Sequence, residues 1–255
     1  MVRYFLKLAY RGTNFHGWQA QENAHTVQEE LNRKIGLMAG EAVNLVGCGR
    51  TDTGVHAREF YAHFELNDPL QIQEKDFVVK LNGFLSRDIV VFGLFSVPGD
   101  YHARFSVTQR TYRYYISRRK DPFERSFCLE YTAPLDIEAM QKAAGYLLKF
   151  TDFTSFSKLH TQTKTNDCNI KEAFWEVQGN MLIFTITADR FLRNMVRAVV
   201  GTLLEVGKEK MKPGEIENVI HAKDRGKAGY SVPAKGLFLE KVEYPFSLDS
   251  SVRKS

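Results

Sequence analysis

The chain has 255 residues, 44% hydrophobic and 25% charged, which is ordinary for a globular protein with one large core or two smaller ones. No run approaches the roughly 18 apolar residues of a membrane span, and the first residues alternate like a strand instead of forming a signal peptide. The three cysteines lie far apart, and the seven histidines show none of the usual metal-site spacings. We therefore expect a cytoplasmic protein without disulfides, metal or membrane contact.

The N-terminal part of the chain predicts the element order β-α-β-β-α-β. The strands are expected at 3–10, 42–46, 60–66 and 89–97, and the helices after a capping box at Thr26 and at 74–85. This order is that of the ferredoxin-like unit, which RNA-recognition modules also use. In the polar loop 11–25, Trp18 suits either an RNA contact or a place in the core.

The C-terminal part predicts the same order with one extra helix. Its elements are a strand at 111–118, a helix capped by Asp136, a hairpin of 174–178 with 181–188 about Gly179-Asn180, a helix at 190–206, a short helix after Pro213 and a strand at 237–244. The polar loop 154–167 is expected to be mobile. We predict an α+β fold of two ferredoxin-like halves, 1–105 and 106–255, with their sheets joined around a central active-site cleft.

The stretch from Asn44 to Arg58 is the strongest candidate for a functional site. An apolar run stops at Gly47-Cys48-Gly49, and a single carboxylate, Asp52, follows among Arg50, His56 and Arg58. Neighbouring positive charge favours the ionised form of a carboxylate. Such a group suits nucleophilic or electrostatic work on a polyanionic substrate, although an Asp in a glycine-rich loop also commonly ties a turn.

The segment from Arg104 to Arg125 carries seven basic and two acidic residues, so its net charge of +5 equals that of the whole chain. Aromatic residues such as Phe105 and Tyr112 are interleaved with its arginines, which include Arg110. Arginines and aromatic faces are what phosphate neutralisation and base stacking require. A solvated strand face with core tyrosines gives the same pattern, and this segment alone does not separate the two interpretations.

The helix predicted at 190–206 is apolar nearly all round, which is typical of a buried helix. Arg197 on this helix is therefore expected to be buried, and a buried arginine needs a carboxylate or a phosphate. We nominate Asp52 as its partner. The alternative is that Arg197 extends along the helix to solvent.

With these residues in view, the sequence resembles the tRNA pseudouridine synthases of the TruA type over nearly its whole length. The most specific segment is GRTDTGVHA from Gly49. Supporting segments are YRGTNFHGWQAQ from Tyr10, TVQEEL from Thr26, HARFSV from His102, the Tyr112-Arg113-Tyr114 strand, DFTSF from Asp152, FLRNMVRAVVG from Phe191 and VPAKGLFLEKVEY from Val232. The resemblance implies two ferredoxin-like halves about a cleft, a homodimer, no cofactor, and uridine in the tRNA anticodon stem-loop (positions 38, 39 and 40) as substrate.

The same resemblance implies the site residues. Asp52 matches the catalytic aspartate, Tyr112 the tyrosine that packs against the uracil, and Arg197 the arginine that pairs with the aspartate. Arg50 matches the arginine that intrudes into the RNA, and Leu237 would line the pocket. Among the remaining basic residues, Arg58, Arg104 and Arg110 are candidates for substrate binding. The chain departs from the family at Arg193-Asn194, where relatives often carry His, and at Thr53, where Ala is common.

The absence of GxxxxGK[ST] and GxGxxG motifs agrees with an isomerisation that needs no cofactor. The sequence leaves open whether Asp52 attacks carbon or removes a sugar proton. Two other functions also stay open. The chain could be an RNA-binding module without catalysis, or an aspartic protease, because Asp52-Thr53-Gly54 is the protease triplet; that chemistry needs two such carboxylates, and the chain has one triplet unless a dimer supplies the second.

Overall fold

Helices and strands are mixed along the chain in an α+β fold, as predicted from sequence. The computed structural model describes residues 1–158 and 165–248. The described residues form two compact units, the first comprising 1–108 with 239–248, and the second comprising 109–158 with 165–238. The residues after 238, which the sequence placed with the second half, thus group with the first.

Unit 1 has the expected order β-α-β-β-α-β. Its elements are β1 (Val2–Tyr10), α1 (Val27–Ala39), β2 (Val46–Gly47), β3 (His56–Leu66), α2 (Glu74–Phe84) and β4 (Ile89–Val97). β1 pairs antiparallel with both β3 and β4, and β2 pairs antiparallel with β3. Thr26 caps α1, its side chain accepting a hydrogen bond from the Glu29 backbone N–H, so this helix begins where the capping box predicted.

Two strand boundaries in unit 1 differ from the prediction. β3 begins at His56 and not at residue 60, and β2 has only two residues where a strand was expected at 42–46. Side-chain amides replace the ladder at Leu45, whose N–H donates to Asn32 Oδ1 at 2.9 Å and whose carbonyl accepts from Gln28 Nε2 at 2.7 Å. Because side chains of α1 form the hydrogen bonds of the Leu45 backbone, the apolar run joins the sheet only at Val46.

Unit 2 is built around an antiparallel sheet in the order β5-β8-β7, with β6 parallel to β5. Its elements are β5 (Gln109–Ser117), β6 (Leu129–Glu130), α3 (Ile137–Tyr146), β7 (Ile170–Gln178), β8 (Met181–Ala188), α4 (Met195–Gly207) and α5 (Glu215–Ala222). Asp136 caps α3, and the predicted hairpin turns at Gly179, which has a φ of 58°. The strand β9 (Leu237–Glu243) is the last element in the described part of the chain.

The helix predicted at 190–206 starts later than expected. Asn194 has a φ of 67°, a left-handed conformation that an α-helix cannot continue, so α4 begins at Met195. The Asn194 amide donates to Ser231 Oγ at 2.6 Å, while the neighbouring Arg193 is exposed. The Arg193-Asn194 pair, where the sequence differs from the pattern of the family it resembles, therefore lies in the turn that precedes the helix.

α4 is the most completely buried helix in the described residues, in agreement with its apolar sequence. It has 13 residues, and no helix in the described ranges is both long and apolar enough to cross a membrane. The loop that precedes β7 was expected to be mobile, but its residues 159–164 lie outside the part of the chain that the structure describes.

The Gly47→Ala variant tests how tightly β2 packs on the core. A Cβ at Gly47 would lie 2.5 Å from two atoms of the Trp18 ring, which is buried and stacked on Phe60 with 4.2 Å between ring centroids. We expect Gly47→Ala to lower the free energy of unfolding in urea by about 1–3 kcal/mol. The control is Gly83→Ala in α2, where a Cβ meets nothing within 4 Å and helix propensity should raise stability by about 0.5–1 kcal/mol. Equal effects of the two substitutions would contradict this packing.

Candidate functional site

The backbone before Asp52 is held by the core of unit 1. Thr51 is buried, its carbonyl accepts a hydrogen bond from the Trp18 N–H at 3.3 Å, and its hydroxyl is hydrogen-bonded to the Tyr10 hydroxyl at 2.8 Å. Asp52 follows directly and is half-buried. The position of its carboxylate therefore depends on residues from β1 and from the loop that follows it.

The backbone after Asp52 is held by the same loop. Gly54, with a φ of 79°, donates its N–H to the Phe15 carbonyl at 3.4 Å, and the Val55 N–H donates to the Asp52 carbonyl at 3.1 Å. His56 Nδ1 accepts the N–H of Gly12 at 3.0 Å. With the chain restrained on both sides, the Asp52 loop is a rigid support, as a preorganised catalytic group requires.

The loop 11–25 contributes core aromatics to this support. Trp18 is 1% exposed and Phe15 is 2% exposed, so the structure places both in the core. Of the two alternatives that the sequence left open for Trp18, the core position is the correct one. His16, between them, is exposed.

Arg50 and Arg104, two of the candidate substrate-binding residues, lie on one pocket of about 180 Å³ in unit 1. Both arginines are exposed. The rest of the pocket is formed by neutral residues from the loop 11–25, from α1 and from the chain around β2, namely Trp18, Gln19, Gln28, Asn44, Leu45, Val46, Gly47 and Gly49. The structure thus joins the two arginines on one surface, although they are distant in sequence.

Arg104 follows a turn that two histidines hold. His102 Nδ1 accepts the backbone N–H groups of Arg104 and Phe105, each at 3.1 Å, and His63 Nδ1 accepts the Ala103 N–H at 3.0 Å. The Arg104 guanidinium lies over the Phe105 ring, 5.6 Å from its centroid, and that ring is 76% exposed. This turn presents a cation and an aromatic face together to solvent.

The two other candidate substrate-binding arginines have partners within their own units. Arg58 is exposed and its Nε lies 3.2 Å from Glu240 Oε1 in unit 1. In unit 2, Arg110 Nη1 donates to the Asp189 carbonyl at 2.8 Å. Neither contact uses all the donors of a guanidinium group, so a phosphate contact stays a prediction for both residues.

In unit 2, Tyr112 and Leu237 are buried. The Tyr112 ring packs edge-to-face on Phe191, with 5.1 Å between the ring centroids and an interplanar angle of 87°. Its neighbour on the same face of β5, Tyr114, donates its hydroxyl to the Pro233 carbonyl at 2.9 Å, and burial raises the pKa of that hydroxyl. The strand β5 therefore carries two buried tyrosines, as the core-tyrosine interpretation of this segment expects.

Arg197 differs from the expectation. It is half-buried and not buried, although Val200, Gly201 and Leu204 on the same side of α4 are buried. Its Nε donates to the Val232 carbonyl at 2.7 Å, and the Val232 N–H donates to the Arg197 carbonyl at 3.2 Å. Asp52 belongs to unit 1 and Arg197 to unit 2, so their pairing stays a prediction.

Part of the basic segment from Arg104 to Arg125 serves the structure of unit 2. Arg118 donates from both terminal nitrogens to the carbonyls of Tyr131 and Ala133, each at 2.7 Å. Arg119 lies 3.2 Å from the Asp121 carboxylate. The charge of this segment therefore does not belong to a single nucleic-acid surface, and its beginning, at Arg104 and Phe105, is the part that forms an exposed arginine–aromatic pair.

Comparison with known proteins identifies the family. A family model described as tRNA pseudouridine synthase matches residues 143–245. A protein of Parabacteroides distasonis named tRNA pseudouridine synthase A is 49% identical, over 97% of this chain and 98% of its own length. Relatives with the same name in Porphyromonas gingivalis and Bacteroides thetaiotaomicron are 47% and 48% identical, covering 97% and 100% of this chain and 99% and 95% of their own.

The chain belongs to the tRNA pseudouridine synthase A family. Pseudouridine synthases are isomerases, so family membership favours the enzyme over both alternatives that the sequence left open. The protease triplet Asp52-Thr53-Gly54 is thus the start of the Asp52 loop of a synthase. Within the described residues, no three His, Cys, Asp or Glu side chains are grouped as metal ligands would be.

Sequence analysis of this synthase missed the supports of its candidate site. His63 and Gln28 hold backbone that is far away in sequence, at Ala103 and Leu45, so no local pattern predicts their roles. His102 alone had a signal, since it stands just before the Ala103-Arg104 pair of the HARFSV segment. A polar side chain at the start of a turn commonly accepts backbone N–H groups a few residues on.

His63 should make the stability of this synthase depend on pH. Burial, and then the charges of His102 and Arg3, lower the pKa of His63 from 6.5 to about 4. As the pH falls below 6.5, the unfolded chain binds a proton that the folded protein does not, so stability is lost between pH 6.5 and 4, by up to about 3 kcal/mol. The free energy of unfolding, measured in urea from pH 7 to pH 4.5, should fall less steeply in His63→Gln than in the wild type.

The matched control is His16→Gln, which replaces an exposed histidine of the same unit. Its pH profile should follow that of the wild type. Parallel profiles for the wild type and His63→Gln would show that His63 is not held in its neutral form.

Proposed function

We propose that the protein isomerises uridine to pseudouridine in tRNA, at positions 38, 39 and 40 of the anticodon stem-loop. The observation that carries the proposal is the single carboxylate of Asp52 on a loop restrained at both ends, in a chain 47–49% identical to relatives named tRNA pseudouridine synthase A. The pocket lined by Arg50 and Arg104 supports an anionic substrate.

The reaction keeps every atom of the nucleotide. The bond between N1 of the base and C1′ of the ribose breaks, the uracil turns, and C1′ bonds to C5. The proton on C5 leaves, and N1 gains a proton. Since nothing is oxidised and no group is transferred to or from another molecule, a carboxylate and a site that holds the free uracil are sufficient protein groups for this chemistry.

We assign the residues as follows. Asp52 supplies the carboxylate to the sugar or the base, and the flat ring of Tyr112 packs against the uracil while it turns. Arg197 balances the charge of Asp52. Leu237 lines the uracil pocket. The joint action of residues from both units is part of the proposal.

Arginines bring the RNA to this site. Arg50 enters the RNA as the uridine leaves the stack, a step that costs a few kcal/mol of stacking and pairing. Arg58, Arg104 and Arg110 contact the sugar-phosphate backbone, where an arginine fork matches the phosphate oxygens. We further propose that the enzyme acts in the cytoplasm as a homodimer and needs no cofactor.

The Asp52→Asn variant tests this function. Purified wild-type protein, incubated with unmodified tRNA transcripts, should form pseudouridine at positions 38, 39 and 40, mapped by a pseudouridine-specific chemical reaction. Asp52→Asn keeps the side-chain shape but removes the charge, so the rate should fall by at least about 10²-fold. The tRNA dissociation constant of the variant should stay close to that of the wild type, because the RNA-binding arginines are intact.

Asp100→Asn, which removes an exposed carboxylate of the same unit, is the control and should keep the wild-type rate. Pseudouridine formation by Asp52→Asn at the wild-type rate would contradict the assignment of Asp52. Tight tRNA binding without any pseudouridine would identify an RNA-binding module without catalysis. Pseudouridine at other tRNA positions only would contradict the anticodon stem-loop as substrate.

A further inference from the structure

The pocket of unit 1 that Arg50 and Arg104 line has the composition of an anion site. Its residues include these two guanidinium groups and no carboxylate. Arginine presents a planar fork of N–H donors that matches phosphate oxygens, and two such groups on one pocket favour a charge-assisted contact with a phosphate.

One polar side chain of the pocket, the Gln28 amide, is satisfied within the protein. The amide oxygen of Gln28, which is 5% exposed, accepts from the Ala20 N–H at 2.7 Å and from Gln19 Nε2 at 2.8 Å. The amide nitrogen of the same side chain donates to the Leu45 carbonyl at 2.7 Å. This side chain is therefore held in place, and the charged groups of the pocket are its two arginines.

The backbone that carries Arg104 is rigid as well. The imidazole of His102 accepts the N–H groups of both Arg104 and Phe105, and His63 accepts that of Ala103. A preorganised arginine loses less conformational entropy when it binds an anion than one on a flexible loop does. His102 thus acts through Arg104 and is a positioning residue.

The size of the pocket limits its occupant. At about 180 Å³ it is smaller than the 300–1,000 Å³ typical of small-molecule sites, which agrees with a single phosphate group as its occupant. The exposed Phe105 ring beside Arg104 offers a stacking face for a neighbouring base.

We propose that His102 positions Arg104 for a contact with one backbone phosphate of the RNA substrate at this pocket, beside the point at which Arg50 enters the RNA. The proposal rests on the proposed function, since it takes the substrate to be tRNA. It adds to that function a defined phosphate site on unit 1 and a role for the histidine turn that no sequence pattern assigned.

The salt dependence of tRNA binding tests the proposal. The dissociation constant of unmodified tRNA is measured at KCl concentrations from about 50 to about 300 mM, for the wild type and for Arg104→Gln. Loss of one phosphate contact should weaken binding roughly threefold to tenfold and reduce the slope of log Kd against log salt by about 0.7–0.9. Arg33→Gln, an exposed arginine of α1 that does not line the pocket, is the matched control and should leave the slope unchanged.

Two variants of His102 test whether this residue positions Arg104 or only stabilises the fold. His102→Ala should reproduce the slope change of Arg104→Gln, and His102→Asn, whose amide oxygen can accept the same N–H groups, should restore most of the wild-type slope. Added to Arg104→Gln, His102→Ala should change the slope no further. A general loss of stability would instead lower the melting temperature of both His102 variants without this pattern in the slopes.

The outcomes distinguish the two proposals. If the wild type modifies tRNA and the Arg104→Gln slope equals that of the wild type, the phosphate site is wrong and the proposed function stands. If Arg104→Gln changes the slope but the wild type forms no pseudouridine, the phosphate site stands and the proposed function is wrong. An equal change of slope in Arg33→Gln would also overturn the site, because the effect would then reflect net charge alone.

Discussion

The hydrogen bonds between the loop 11–25 and the backbone around Asp52 are the constraint on which the candidate site of unit 1 depends. Trp18 and Phe15 each contact this backbone through a main-chain group while their rings lie in the core. The core of the unit and the position of the carboxylate are therefore set by the same residues. This coupling explains why Gly47, far from any catalytic role, must lack a side chain: the ring of Trp18 occupies that space.

The same principle holds for the turn 102–105, which two histidines support and for which we propose a contact with RNA. His63 and His102 use imidazole nitrogens as acceptors for three backbone N–H groups, a task that requires the neutral form of each ring at those atoms. Burial lowers the pKa of both histidines, most strongly that of His63. Burial of the His63 ring in the core thus also keeps this ring neutral, because burial disfavours its charged form.

Local signals in the sequence predicted much of the fold, and long-range contacts account for what it missed. The caps at Thr26 and Asp136, the turn at Gly179 and the order of elements in unit 1 depend on residues close in sequence, and all are correct. The short β2 and the late start of α4 were missed because Gln28 and Asn32 satisfy distant backbone and Asn194 adopts a left-handed conformation. The Asp52 loop could be proposed as a site from the sequence because its glycines and arginines are neighbours in the chain, and the catalytic role of Asp52 stays a prediction. Helical periodicity predicted a buried Arg197, but the residue is half-buried, since periodicity identifies the covered side of a helix and not the exposure of one long side chain on it.

The central claim is that Asp52 carries the chemistry with its charge balanced by Arg197, a residue of the other unit. A double-mutant cycle in the free energy of unfolding, with Asp52→Asn, Arg197→Gln and the double variant, tests this claim most directly. If the two side chains interact as proposed, the effects of the single substitutions should depart from additivity by about 1 kcal/mol or more. Effects that add within about 0.5 kcal/mol would show that the two residues do not interact and would contradict the proposed pairing.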